Sequence, residues 1–264
     1  MTKFIYRQFL RLLLNRIGSS DAGATGICRN FVNKFNSENN DDIHSNGELR
    51  IMREYLPKSR VVFDVGANVG EWARLALQLS PQVQLHCFEP SRPTFRKLVS
   101  NSFPGNVTCN PFGLSSAREK RPLYVFSESS PINSLYRREG LEDGYSLKPP
   151  SETETVELET LDSYCAEKEI RRIDFLKIDV EGHELEVLKG AQGSLRAGNV
   201  EVIQFEYGGC NIDSRIFLKD IMDYFEPLDY DLFKVYPKTL IPIRRYDQRL
   251  ENFQYQNWIA LKRR

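Results

Sequence analysis

The chain has 264 residues, of which 41% are hydrophobic and 27% are charged. These proportions are those of a folded globular protein, and the length suits one α/β domain with a modest extension. Lys plus Arg equals Asp plus Glu, at 36 each, so no global positive charge indicates a nucleic-acid partner. The five cysteines include no CxxC pair, which argues against a disulfide framework and predicts a cytoplasmic protein.

The first 46 residues differ in composition from the rest of the chain. Residues 1–36 carry six Lys or Arg against a single acid, Asp21. Residues 1–18 have an amphipathic helical pattern, and their apolar runs are too short to span a bilayer. Three interpretations stay open for this segment: contact with an anionic membrane surface, an organellar transit segment, or a packed helix. Residues 19–46 are polar and predict a linker with one short helix near 28–35.

Residues 47–264 alternate strand and helix signals, which predicts one α/β domain with parallel strands and crossover helices. The expected strands are 61–65, 83–88, 107–110, 175–179, 200–206, 230–235 and 257–261. The expected helices are 71–79, 93–102, 161–167, 184–190 and 212–224. The fold class is therefore Rossmann-like, with a mostly parallel seven-stranded sheet and helices on both faces. An insertion at about 116–156 interrupts this rhythm and predicts a short strand pair forming a lid or substrate wall.

The segment VVFDVGANVGEW runs from a buried strand through a glycine-rich turn into a helix. Gly66 and Gly70 allow the backbone to turn sharply and to approach a ligand without an intervening Cβ. The helix that follows presents free N–H groups at its positive end. Asn68 stands where the dinucleotide fingerprint GxGxxG has its second glycine, which favours a ligand without a pyrophosphate. S-adenosylmethionine is such a ligand.

Glu89, in the segment LHCFEP, follows the glycine turn by about twenty residues. An acid at this distance, at the end of the second strand, accepts hydrogen bonds from ribose hydroxyls in this architecture. The alternative is an exposed glutamate that begins a turn before Pro90. The spacing favours ribose binding.

A second polar group follows the strand in RIDFLKIDVEGHELEVLKGA. Asp179, Glu181 and His183 are expected at a strand-to-helix junction, where α/β sheets place their ligands. Strand alternation would aim the two carboxylates in one direction. Two alternatives stay open: the three residues form a hard metal site, or His183 is a helix N-terminal residue that bonds locally.

The chain resembles the FkbM-type methyltransferases in four blocks: VVFDVGANVG, the FEP turn, the FGLS turn, and TLDSYCAEKEIRRIDFLKIDVEGHELEVLKGA. The resemblance implies an enzyme that transfers a methyl group from S-adenosylmethionine, usually to a hydroxyl oxygen of a sugar or of a polyketide-like product. It places cofactor-binding positions at Asp64, Gly66, Asn68, Gly70 and Glu89, and we expect the nearby Ala67, Pro90 and Gly113 to bind the cofactor as well. No metal ion is expected, and the resemblance places Asp179, Glu181 and Gly182 on a later motif.

An alcohol acceptor needs a base at the reacting oxygen. The candidate bases are His183, Glu181 and Glu206, in that order, and a carboxylate near His183 is expected to raise the pKa of the histidine.

Tyrosines and arginines of the insertion are expected either to line a carbohydrate site or to form a solvated lid; they are Tyr124, Tyr136, Arg137, Arg138 and Tyr145. The expected partner is a carbohydrate or small-molecule acceptor, with membrane contact through residues 1–18 as a further candidate. Two other functions stay open: a nucleotide-dependent sugar oxidoreductase and a non-catalytic, methyltransferase-like binding domain.

Overall fold

The computed structural model describes residues 22–141, 149–150 and 152–263. Residues 1–18 and Tyr145, on which two of the expectations above depend, lie outside this part of the chain. Within it, no helix is both long enough and apolar enough to cross a bilayer.

In the part of the chain that the structure describes, two helices precede the first strand. Helix α1, Ala22–Asn36, is longer than the short helix expected near 28–35. Helix α2, Glu48–Tyr55, was not predicted, and a 3₁₀ turn at Leu56–Lys58 follows it. The segment expected to be a linker, 19–46, thus contains a helix of 15 residues.

The strands of the main sheet are β1 Val61–Val65, β2 Gln84–Phe88, β3 Val107–Asn110, β7 Ile173–Ile178, β8 Val200–Tyr207, β9 Tyr230–Val235, β10 Leu240–Pro242 and β11 Gln256–Lys262. These eight strands lie in the order β10-β9-β11-β8-β7-β1-β2-β3. Strands β8, β7, β1, β2 and β3 are parallel, whereas β11 runs antiparallel to both of its neighbours and β10 antiparallel to β9. All seven predicted strands are present. The short edge strand β10 adds an eighth.

The helices after β1 in the described part of the chain are α3 Glu71–Leu79, α4 Arg92–Ser100, α5 Leu161–Glu167, α6 Glu184–Gly190, α7 Gln192–Arg196, α8 Cys210–Ser214 and α9 Leu218–Phe225. Of these, α7 was not predicted. The single helix predicted for 212–224 is two helices, α8 and α9. The chain breaks there because Arg215 adopts a left-handed φ of 58°.

Helices cover both faces of the main sheet, and each face has its own apolar core. Alternate residues of β1 separate the two cores: Phe63 and Val65 pack with α5, α6 and α9, whereas Val62 packs with α2, α3 and α4. This division follows from the two-residue repeat of a strand. The observed architecture confirms the Rossmann-like α/β fold.

The insertion forms part of a second, three-stranded sheet in the order β4-β6-β5. Its strands are β4 Gly113–Leu114, β5 Glu119–Val125 and β6 Glu152–Glu159. The antiparallel pairing of β5 with β6 is the strand pair predicted for the insertion.

Strand order reverses between β1 and β7. From β1 the chain adds β2 and β3 on one side, and β7 and β8 lie on the other. The crevice at the carboxyl ends of these strands is where open α/β sheets bind ligands.

Candidate functional site

A cleft of about 1890 Å³ opens at the carboxyl ends of β1, β2, β7 and β8. Six of the eight predicted cofactor positions line it: Gly66, Ala67, Asn68, Glu89, Pro90 and Gly113. The four candidate catalytic residues line it as well: Asp179, Glu181, His183 and Glu206. Asp64 and Gly70 are not among its lining residues.

The glycines of the first turn are required by packing within the protein. Gly66 has a φ of 83°, and a Cβ there would lie 1.7 Å from the carbonyl oxygen of Asp179. A Cβ on Gly70 would lie 2.9 Å from Leu98 Cδ1. The sequence argument that these glycines leave room for a ligand is therefore corrected. The space that a Cβ would occupy is taken by the Asp179 carbonyl group at Gly66 and by the Leu98 side chain of α4 at Gly70.

Glu89 is fixed in place at the end of β2. It is only 7% exposed; its Oε2 accepts a hydrogen bond from the Asn68 N–H at 3.0 Å, and its Oε1 accepts one from the Ser91 N–H at 2.9 Å. Burial raises the pKa of Glu89 to about 7, although these two hydrogen bonds oppose the rise. Each carboxylate oxygen has a second lone pair, so the group can still accept hydrogen bonds from a ligand.

Three side chains that line the cleft have buried polar atoms without a partner among the described residues. These atoms are Asn68 Oδ1, Trp72 Nε1 and Ser129 Oγ. Buried polar groups are nearly always hydrogen-bonded, so such a group at a cleft needs an explanation. A polar ligand bound beside Glu89 would provide one.

Lys177 is a site residue that the sequence analysis missed. Its Nζ lies 3.0 Å from Asp64 Oδ1 and 3.2 Å from Asp179 Oδ2, and the lysine side chain is 6% exposed. Burial alone would lower the pKa of Lys177, but the carboxylates of Asp64 and Asp179 raise it. The signal was a lysine inside the buried strand FLKID, because a charge at such a position requires a partner.

Two more carboxylates lie near Lys177. Glu48, from the unpredicted helix α2, accepts a hydrogen bond on Oε1 from Gln204 Nε2 at 2.7 Å. Glu206 accepts one on Oε1 from the Tyr255 hydroxyl at 2.6 Å. Burial raises the pKa of both glutamates. Four carboxylates thus surround one lysine, and this part of the cleft suits a ligand with positive charge.

Glu181 joins the insertion to the turn after β7. Its Oε2 lies 2.7 Å from Arg138 Nη1, and its carbonyl oxygen accepts a hydrogen bond from the Ser134 hydroxyl at 2.7 Å. Glu181 has a φ of 52°, which shows that the strand has ended before this residue. The expectation that strand alternation aims the carboxylates of Asp179 and Glu181 in one direction is therefore wrong. Burial raises the pKa of Glu181, and the Arg138 guanidinium opposes that rise.

His183 is buried, with 1% exposure, and hydroxyl groups lie at both of its ring nitrogens. Nδ1 is 2.9 Å from the Tyr136 hydroxyl and Nε2 is 3.0 Å from the Ser115 hydroxyl. The expectation that a carboxylate raises the pKa of His183 is wrong: burial lowers it to about 4. The imidazole is therefore neutral at pH 7.

Glu184, which the sequence analysis also missed, stabilises the same turn. Its Oε1 accepts hydrogen bonds from the N–H groups of Val180 and Gly182 at 3.2 and 3.1 Å. Burial raises the pKa of Glu184 to about 7. The only sequence signal for this role is an acid at the start of a helix, and that signal does not show which backbone N–H groups the carboxylate binds.

The three residues of the metal alternative bind different partners. Asp179 pairs with Lys177, Glu181 with Arg138, and His183 with two hydroxyls. Among the described residues, no group of three His, Cys, Asp or Glu side chains is placed to hold a metal ion.

A Rossmann-like sheet with a buried acid at the end of its second strand defines a protein that binds a nucleoside-containing cofactor. The Methyltransferase FkbM domain matches residues 64–232. The chain belongs to the FkbM methyltransferase family. Its cofactor is S-adenosylmethionine, which carries an adenosine and positive charge and no pyrophosphate.

Curated relatives are similar over about half to two thirds of the chain. Hexuronic acid methyltransferase AglP of Haloferax volcanii is 32% identical over 164 residues, which are 61% of this chain and 62% of that protein. The 2-O-methyltransferase NoeI of Sinorhizobium fredii is 28% identical over 67% of this chain and 75% of its own length. The 31-O-demethyl-FK506 methyltransferase FkbM of Streptomyces tacrolimicus is 30% identical over 50% of this chain and 59% of its own length. The first of these matches spans about three fifths of its relative.

Solved structures are similar at lower identity. A methyltransferase FkbM from Methylobacillus flagellatus aligns at a TM-score of 0.47 with 15% identity, over 76% of this chain and 43% of that one.

Proposed function

We propose that the protein transfers a methyl group from S-adenosylmethionine to a hydroxyl oxygen of a carbohydrate or related small molecule. The observation that carries this proposal is Glu89, a buried acid fixed by two backbone N–H groups at the ribose position of the cleft. The printed names of the relatives, a hexuronic acid methyltransferase and a 2-O-methyltransferase, support a sugar hydroxyl as the acceptor.

The residues of the cleft fit this cofactor. Glu89 is placed to accept hydrogen bonds from the ribose, with Asn68 and Ser129 beside it as further polar partners. The surplus of carboxylates around Lys177 is complementary to the sulfonium and the α-ammonium groups. When bound, the cofactor supplies a methyl carbon activated for in-line displacement, so positioning contributes on the order of 7–11 kcal/mol.

Glu181 is the proposed base among the four candidates. Its Oε1 has no protein partner among the described residues, whereas Oε2 is held by Arg138. Burial has raised its pKa, which brings a carboxylate closer to the value that suits a general base near neutral pH. The acceptor hydroxyl would pass its proton to Oε1 as its oxygen takes the methyl group.

The other three candidates are engaged in ways that favour positioning. Both ring nitrogens of His183 lie against hydroxyls, Asp179 is paired with Lys177, and Glu206 accepts from Tyr255. We infer that His183 orients the insertion through Tyr136.

The domain boundary near residue 47 also remains a proposal. Residues 47–264 would form the methyltransferase domain, with the insertion at about 116–156 as one wall of the acceptor site. Arg29, Asn33 and Lys34 of α1 also line the cleft, so the segment before residue 47 contributes to its outer edge.

Incubation with isotopically labelled S-adenosylmethionine and a panel of sugars tests the proposal. The panel pairs each hexose and hexuronic acid with its amino-sugar analogue, and mass spectrometry locates the added methyl group. We expect methylation of a hydroxyl oxygen that depends on Glu181. Methylation confined to the amino group, or to acceptors without hydroxyls, would contradict the assignment.

A further inference from the structure

The outward side of α1 is an exposed apolar surface. Ile27, Phe31 and Phe35 are spaced four residues apart and are 73%, 72% and 77% exposed. Val32, beside them, is 50% exposed. Side chains at this spacing lie on one face of a helix, and a contiguous exposed apolar group of this size is often an interaction site.

The charges of α1 border this surface on both sides. At 3.6 residues per turn, Arg29 lies at one edge of the apolar face and Lys34 at the other. The sequence AGATGICRNFVNKFN contains no acid. Asn30 and Asn33, on the opposite side, line the cleft, and Arg29 and Lys34 reach its outer edge from the two borders of the apolar face. An apolar face with a cation at each edge is the arrangement of helices that lie in the plane of a membrane surface.

We propose that the apolar face of α1 (Ile27, Phe31, Val32 and Phe35) docks on an anionic lipid bilayer. The apolar side chains would enter the boundary between headgroups and acyl chains, and Arg29 and Lys34 would contact lipid phosphates. This docking would hold the outer edge of the cleft against the membrane, because the polar side of the same helix lines that edge.

A second copy of the chain fits this surface less well than a bilayer does. Complete covering of the four exposed side chains would bury roughly 500 Å², whereas each partner in a standard interface buries about 800 Å². Two such faces would also bring Arg29 and Lys34 of one copy near those of the other, without a compensating acid on the helix. An anionic bilayer meets both the apolar and the charge requirement.

Sedimentation of the full chain with vesicles tests the proposal. We expect binding to vesicles of phosphatidylcholine with phosphatidylglycerol, weaker binding to phosphatidylcholine alone, and weaker binding in high salt. The double variant Phe31→Gln/Phe35→Gln should lower the partition coefficient by roughly 10-fold or more. The matched control is Val99→Gln/Ile212→Gln, which removes apolar groups that are 45% and 59% exposed elsewhere and should bind as the wild type does.

Cys28 provides a readout that is local to α1. It is exposed, whereas Cys87, Cys165 and Cys210 are buried and Cys109 is partly buried. An environment-sensitive fluorophore on Cys28 should shift to the blue when anionic vesicles are added, and the double variant should lose this shift.

Three results would overturn the proposal. The first is an absence of binding to anionic vesicles. The second is sedimentation with no change at Cys28, which would assign membrane binding to another segment. The third is a blue shift that grows with protein concentration in the absence of lipid, which would show that a second copy covers the face.

Discussion

The two sides of the cleft are built in different ways. On the side proposed to bind the methyl donor (the donor side), Glu89 is held by the backbone of Asn68 and Ser91, all within one short stretch of chain. On the side proposed to bind the methyl acceptor (the acceptor side), Glu181 and His183 depend on Arg138, Tyr136 and Ser115, which are 43 to 68 residues away in sequence. The donor side is therefore encoded locally, and the acceptor side depends on where the insertion folds.

Gly66→Val should have the largest effect, because it breaks the donor side at its base. A Cβ at this position would lie 1.7 Å from the carbonyl oxygen of Asp179, so the ends of β1 and β7 would have to separate. We expect a loss of more than about 3 kcal/mol in the free energy of unfolding, measured by chemical denaturation. Gly105→Val is the matched control, since a Cβ there meets nothing within 4 Å; equal stability of the two variants would refute this explanation.

Glu181→Gln should have the largest effect on the acceptor side. The amide keeps the shape of the side chain but cannot take the acceptor proton, so kcat should fall by roughly 10² to 10⁴-fold. Cofactor affinity should change little. His183→Gln serves as the comparison and should retain most of the turnover, as measured with the true acceptor. If His183→Gln loses turnover and Glu181→Gln does not, the assignment is contradicted and the imidazole of His183 is the base.

The pH dependence of stability should differ in sign between Glu89 on the donor side and His183 on the acceptor side. Glu89 has a folded pKa of about 7 and an unfolded value near 4.3, so its native form loses stability as pH rises through this window. His183 has a folded pKa of about 4 and an unfolded value near 6.5, so stability is lost as pH falls through that window. Each effect amounts to at most about 4 kcal/mol.

Chemical denaturation across pH 4 to 8 checks these signs with one variant for each side. Glu89→Gln should flatten the loss of stability toward neutral pH, and His183→Gln should flatten the loss toward acid. Unchanged pH profiles in both variants would show that neither group carries its shifted pKa in solution.

The sequence predicted the donor side well because its signals are short. A buried strand, a glycine turn and an acid at a fixed spacing specify β1, the turn and Glu89, and all seven predicted strands are present. The interpretation of Gly66 as a residue that leaves room for a ligand was wrong, because no local pattern shows that the carbonyl group of Asp179 lies against this glycine.

For the acceptor side, the sequence predicted which residues take part but not which residues they contact. Glu181 and His183 were identified as candidates, but the ion pair with Arg138 and the bond to Tyr136 join distant segments. The predicted direction of the His183 pKa shift was wrong because burial, which the sequence does not give, lowers this pKa and outweighs the carboxylate of Glu186. Lys177 and Glu48 were missed for a related reason: their roles depend on the four carboxylates that the fold brings together.

Calorimetric titration with S-adenosylhomocysteine tests the central claim most directly, because it measures the donor side alone. The wild type should bind, and Glu89→Ala should bind about two to four decades more weakly, since two hydrogen bonds to a charged group contribute about 1.5–3 kcal/mol each. Circular dichroism should show that the variant is folded. Equal dissociation constants for the two folded proteins, or no binding by the wild type, would contradict the assignment of this cleft to the methyl donor.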